Sequence, residues 1–274
     1  MTTAPVATCY RHPDRETGRR CTRCGRPACP ECLRDASVGA QCVECVQAAA
    51  PSRAERVRRT WRGERAPATK VIIGINVAMF LIIAARDGRV DGMGSTSASL
   101  ALFGPAVHSG DWYRLFTSSV VHYGFLHLFF NMMVLWLVGS LLEPGSGPLR
   151  FSLIYVVSVL SGAAGALILS PHALTGGASG GVFGVAAAAT IVMYRQGVRF
   201  WDTGFGPLII INLVLNLFMT NVSIGGHIGG IIGGVLATEA MLQARKANQP
   251  VLGLAGAAFV GAGAFLICLA VAGA

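Results

Sequence analysis

Charge is scarce through most of this chain. Charged residues make up 13% of its 274 positions, and 14 Lys+Arg and 7 Asp+Glu of them fall in the first seventy. The long apolar stretches beyond Lys70 hold almost no ionisable side chain, which argues against a transporter, whose route would need such groups near the membrane midplane. No apolar segment follows the N-terminal Met, because residues 1–50 are rich in Cys, Arg and Pro. A cleaved secretory signal is therefore not expected, and the N-terminus is expected to stay in the cytoplasm. The same segment has seven cysteines, an odd number, on what would be the reducing side. Both facts exclude a disulfide framework.

What the chain has instead is apolar sequence, 53% of all residues. Seven runs read as membrane spans: 70–85, 118–142, 149–169, 178–194, 205–220, 225–243 and 251–272. The first and fifth fall short of the roughly 20 residues a helix needs to cross, so one of them could be re-entrant. Arg53, Arg56, Arg58, Arg59, Arg62, Arg65 and Lys70 precede the first span. Arg150 follows the second, Arg195 and Arg199 the fourth, and Arg245 and Lys246 the sixth. Cations mark the cytoplasmic face, so spans two, four and six begin at the outer face and the C-terminus is expected outside.

That orientation places five rare polar residues in one layer. His127 and Asn131, with His122 before them, belong to the start of span two, Ser179 to the start of span four and His227 to the start of span six. Polar groups at bilayer depth are costly and mark sites. Gly226, Gly230 and Gly234, beside Gly225, Gly229 and Gly233, leave one face of span six nearly bare backbone, and Gly180, Gly184 and Ala188 do the same for span four. Such strips let helices approach closely.

A serine opening a helix is most often a cap, and a lone histidine is most often a hydrogen-bonding residue. Together, Ser179 and His227 form the minimal nucleophile and base for attack on an acyl group. His127 and Asn131, four apart, share a helix face and suit an oxyanion role, the other reading being interhelical hydrogen bonds. Asn212, Asn216 and Asn221 read more simply as such bonds.

These residues resemble the rhomboid family of intramembrane serine proteases over roughly residues 70–243. The match comprises Trp112 and Arg114, His122-x4-His127-x3-Asn131, Gly139-x3-Glu143-x3-Gly147, Gly177-Ala178-Ser179-Gly180, and His227-x2-Gly230-x3-Gly234. The resemblance implies a Ser179–His227 dyad without a carboxylate, and an oxyanion site of His127, Asn131 and the Ser179 N–H. It also implies an aromatic ring, Phe183, packed on the catalytic histidine. Trp112 and Arg114 would brace an interfacial loop, and Glu143 would be a buried structural carboxylate. Tyr113 separates Trp112 from Arg114, where some family members have the pair adjacent.

Ahead of the spans, Cys9-x2-His12, Cys21-x2-Cys24, Cys29-x2-Cys32 and Cys42-x2-Cys45 supply eight ligands, enough for two closed tetrahedral zinc sites. The order resembles B-box-type modules, which implies that alternate pairs share an ion; sequential pairing is the other arrangement. With every ligand supplied by protein, the metals would be structural.

The expected architecture is an all-α polytopic membrane protein, a six-helix rhomboid-type core over 70–243 plus one C-terminal transmembrane helix in 244–274. A cytoplasmic zinc module, 1–50, and a basic juxtamembrane linker, 51–69, precede it. The expected function is endopeptidase cleavage of single-span membrane proteins near the outer face, with no catalytic cofactor. The alternative is a rhomboid-like protein that binds membrane clients without cutting them. Lipid and a protein partner of the zinc module are expected; nucleic acid is not, for want of aromatic interleaving or a reading helix.

Overall fold

A computed structural model describes residues 7–36, 38–49, 66–197 and 223–273. The expected fifth span and most of the basic linker lie outside them. The chain divides into two compact units, Met1–Arg62 and Gly63–Ala274.

The described residues of the first unit have almost no apolar core of their own. Its buried cluster is Cys9, Cys21, Cys29, Cys32, Cys42 and Cys45 with only Ala28 and Leu33 added. Around it run a short antiparallel hairpin, β1 (Leu33–Asp35) and β2 (Ala40–Cys42), paired Leu33 to Cys42, and a helix, α1 (Val43–Ala49). So little buried apolar surface does little to offset the entropy of ordering the chain.

The second unit is helical. Among the described residues, five helices are long and apolar enough to cross a membrane: α2 (Pro67–Asp87), α6 (Phe125–Ser146), α7 (Pro148–Leu169), α9 (Ile224–Lys246) and α10 (Pro250–Val271). A shorter apolar helix, α8 (Ser179–Arg195), lies among them. Proline opens α2, α7 and α10, where its missing N–H loses nothing. Between α2 and α6 run three short helices, α3 (Ser95–Leu100), α4 (Gly104–His108) and α5 (Arg114–Thr117). Asp87 caps α3 by accepting from the Thr96 and Ser97 N–H groups at 2.7 and 3.1 Å.

Helix α6 starts later than the second span was expected to. Ser118–Val120 is a 3-10 turn and Gly124 is fully extended, φ 163° and ψ 169°, so His122 lies in the connection before the helix. The apolar run read continuously through a segment whose backbone is not helical.

Helix α9 has two bare strips rather than one. A Cβ at Gly225 or Gly229 would run into the carbonyl oxygens of Gly165 or Ser161 on α7. A Cβ at Gly230 or Gly234 would run into those of Gly180 or Gly184 on α8. Backbone packs on backbone along both lines, which fixes the depth of α9 against α8. Helices α2 and α10 sit outermost and expose Val71, Leu81, Val251 and Phe259 as lipid would require.

Candidate active site

Ser179 is the first residue of α8, and the strand of chain before it is tied down at several points. Leu102 and Thr175 form a β-bridge with N···O distances of 2.8 and 2.9 Å, and the Gly104 N–H donates to the Pro171 carbonyl at 2.8 Å. The Tyr123 hydroxyl donates to the Leu174 carbonyl at 2.9 Å, and the Gly177 N–H to the Ser118 carbonyl at 2.9 Å. Gly177 has φ +135°, a region that side chains disfavour, and a Cβ there would lie 3.0 Å from His127 Nε2. Glycine is thus required twice over at this position.

His227 is in the first turn of α9, whose N-cap Ser223 accepts from the Gly226 N–H at 3.0 Å. Its Nε2 lies 2.9 Å from Ser179 Oγ. The Phe183 ring, one turn along α8, packs against the imidazole at a centroid distance of 4.3 Å. Ser179, His227, His127 and Gly177 line one cavity, together with Ser118 and Gly162. Glu239, the acidic residue of α9, pairs instead with Arg195 at the opposite end of the helix.

His127 also faces this cavity. The Tyr123 N–H, which can only donate, meets His127 Nδ1 at 3.4 Å. That contact makes Nδ1 the acceptor and leaves the proton on Nε2, beside Gly177 and the serine. Tyr123 further stacks on the imidazole, 5.6 Å between centroids and 5° from parallel, while His122 meets it edge-on at 5.1 Å. His122, in the segment before α6, turns back onto His127. Asn131 is buried, and its amide donates to the His127 carbonyl at 2.8 Å rather than lining the cavity.

The remaining site residues sit around this centre. Arg114 donates from Nη1 to the carbonyls of Ala98 and Ala101, both at 2.8 Å, and pairs with Asp111 at 3.0 Å, so it closes the α3–α5 loop on itself. Trp112 is exposed beside it. Glu143 is at the far end of α6, fully buried, where it receives the N–H groups of Ala68 and Thr69. Sequence reasoning passed over Tyr123 and Ser118; the aromatic residue four before His127 was the available signal for the first, and nothing local marked the second.

In the N-terminal unit the ligands gather as Cys9, His12, Cys29, Cys32 and as Cys21, Cys24, Cys42, Cys45. A tetrahedral zinc with Zn–S near 2.3 Å and Zn–N near 2.0 Å sets its sulfurs about 3.8 Å apart and its nitrogen about 3.5 Å from each sulfur. His12 Nδ1 lies 3.4, 3.4 and 3.8 Å from the sulfurs of Cys29, Cys32 and Cys9, and the Cys24 and Cys42 sulfurs are 3.7 Å apart. These spacings fit such an ion in both clusters. The Cys42 N–H donates to Cys21 Sγ at 3.2 Å and, as the largest influence on that thiol, holds its pKa down at about 6.

Residues 109–244 match the family described as the Rhomboid domain. The chain is 33% identical over 153 residues to Rhomboid protease GluP of Bacillus subtilis (strain 168), covering 54% of this chain and 29% of that protein. It is 40% identical over 80 residues to Putative rhomboid protease YdcA of the same organism, 29% of this chain and 40% of the relative. To Rhomboid protease GlpG of Enterobacter sp. (strain 638) it is 28% identical over 149 residues, 53% and 49% respectively. The chain thus spans less than half the length of each. The matched region and the five helices of crossing length among the described residues agree: this is a multi-pass helical membrane protein of rhomboid-type fold, similar over residues 109–244 to the Rhomboid domain.

Proposed function

We propose that the protein is an intramembrane serine endopeptidase that cuts single-span membrane proteins near the outer face, with Ser179 as nucleophile and His227 as base. The observation that carries this reading is the 2.9 Å contact between His227 Nε2 and Ser179 Oγ at the floor of a shared cavity. Ser179 Oγ adds to the substrate carbonyl carbon while His227 Nε2 takes the hydroxyl proton. The developing oxyanion is met by His127 Nε2–H and by the N–H groups that a helix start leaves unpaired, Ser179's own included. His227 then returns the proton to the leaving amine, and water, activated by the same imidazole, releases the acyl group and restores the serine. Phe183 keeps the imidazole in register; Asn131, through the His127 carbonyl, positions that helix turn.

Lys70, Arg150, Arg195, Arg245 and Lys246 lie at the helix ends opposite Ser179, whereas Arg86, Arg89 and Arg114 at the site end have Asp87, Asp91 and Asp111 near them in sequence. That asymmetry supports a cytoplasmic N-terminus and an outer site. The N-terminal ligands would hold two zinc ions in closed four-ligand sites, alternate pairs sharing each. Such ions shape the fold and leave no open position for a reacting water. The domain limits are proposed as a zinc module over 1–50, a linker over 51–69, the core over 70–243 and an additional C-terminal transmembrane helix over 244–274.

A fluorophosphonate probe tests the reading without a known substrate. Purified wild type should form an adduct at Ser179, located by mass spectrometry, and Ser179→Ala and His227→Ala should not. A folded wild type that stays unlabelled would point to client binding without cleavage, a function that Ser179→Ala would leave intact.

A further inference from the structure

We infer that α10, the helix beyond the histidine-bearing α9, is a positioning element of the Ser179 site, acting through the outer loop that holds the strand leading into the serine. The inference rests on the reading of Ser179 as nucleophile.

Helix α10 turns a strip of small residues inward: Gly253, Ala257, Gly261, Ala264 and Cys268 are its buried positions. The strip lets it lie close to its neighbours, with a Cβ at Gly261 falling 3.2 Å from Val157 Cγ2 and the Cys268 thiol 3.7 Å from the Leu160 carbonyl, both on α7. Its outer end meets the loop. A Cβ at Gly104 would lie 2.9 Å from the Ala272 carbonyl and 2.7 Å from that of Pro171, and Gly273 lies against the His108 ring. Gly104 is therefore the point where α10, α4 and the strand before Ser179 converge with no room for a side chain.

From there the path to the serine is short. Leu102, two residues before Gly104, bridges Thr175, and Gly177 is bonded to Ser118 two residues before the nucleophile. Leu102, Val107 and Leu115 of the loop share one buried cluster with Leu160 and Ala163 of α7 and with Ala264, Cys268 and Ala272 of α10. Leu102 and Ala163 of that cluster also line the Ser179 cavity. Part of the cavity wall thus has α10 behind it. The inner half of α10 belongs to a different cluster, through Ala257. The two halves can be perturbed separately.

The experiment compares Ala264→Leu with Ala257→Leu in the full chain. Each overpacks the same helix against its neighbours, so both should lower the unfolding temperature. Only Ala264→Leu should speed amide hydrogen exchange in residues 170–178, and only it should slow fluorophosphonate labelling of Ser179, by roughly tenfold or more given how steeply reaction depends on placement. Exchange in 170–178 that is unchanged by Ala264→Leu, or raised equally by both variants, overturns the inference. Absence of labelling in wild type counts against the nucleophile alone, because the exchange measurement still decides whether α10 holds the strand.

Discussion

Glu143 and Thr69 are joined by two hydrogen bonds: one carboxylate oxygen accepts from the Thr69 N–H at 2.8 Å and from its hydroxyl at 2.7 Å. The other oxygen takes the Ala68 N–H at 2.8 Å. The last turn of α6 thereby caps the first turn of α2, satisfying N–H groups that a helix start leaves open, with negative charge at the positive end of the helix. Gly139, one turn before, has no side chain because Thr69 fills that space. Glu143→Ala leaves these donors buried without an acceptor and should destabilise by on the order of 3 kcal/mol. Glu143→Gln keeps an acceptor and should lose less than half as much. Thermal unfolding of both in detergent measures this, and equal losses would mean that the side chain only fills space.

The packing of Phe183 on His227 predicts a loss of rate beyond the loss of stability. Phe183→Leu keeps apolar bulk but gives up the flat surface against the imidazole, so the ring can turn away from Ser179. Labelling of Ser179 should slow by roughly tenfold, at a temperature where the variant is still folded. Labelling at the wild-type rate would remove Phe183 from the positioning of His227.

Glycines of apparently equal standing should respond differently to alanine. At Gly230 a Cβ meets the Gly180 backbone, so Gly230→Ala must push α9 from α8 and should cost about 1–3 kcal/mol, with slower labelling because the two helices carry His227 and Ser179. At Gly263 nothing lies within 4 Å, and Gly263→Ala should be neutral to within about 0.5 kcal/mol. Unfolding temperatures of the pair decide it; similar shifts would contradict the close approach.

Metal content separates the two ways of pairing the ligands. The chain should carry two zinc ions by elemental analysis, one for each cluster. The double variant Cys9→Ser with Cys29→Ser strikes a single cluster and should retain one ion. Sequential pairing would place those cysteines in different sites, and the same double variant would then lose both. Removal of zinc by chelation should unfold the N-terminal unit, seen as loss of hydrogen-exchange protection over residues 7–49, since its buried cluster is mostly cysteine.

The sequence by itself determined that most of the chain is membrane-spanning helix and which residues stand out as candidates for chemistry. Long uncharged runs require helices in a membrane, because hydrocarbon offers no partner for the backbone. Cysteine pairs with two residues between them, in a segment poor in apolar residues, pointed to metal ligands. The spacing of glycines in residues 225–234 announced close contact, and the serine and histidine stood out because polar residues are rare at that depth. Tertiary structure alone decided the rest. Which helix meets which glycine strip depends on three helices meeting at once, so one bare face in sequence became two, one against α7 and one against α8. His122 turned onto His127 because a 3-10 turn and an extended glycine delay the start of α6, a backbone choice that an unbroken apolar run conceals. The partners of Glu143 lie 74 and 75 residues away, and the pairing of His12 with Cys29 spans 17. No local periodicity encodes such contacts; they exist only once the chain has folded back on itself.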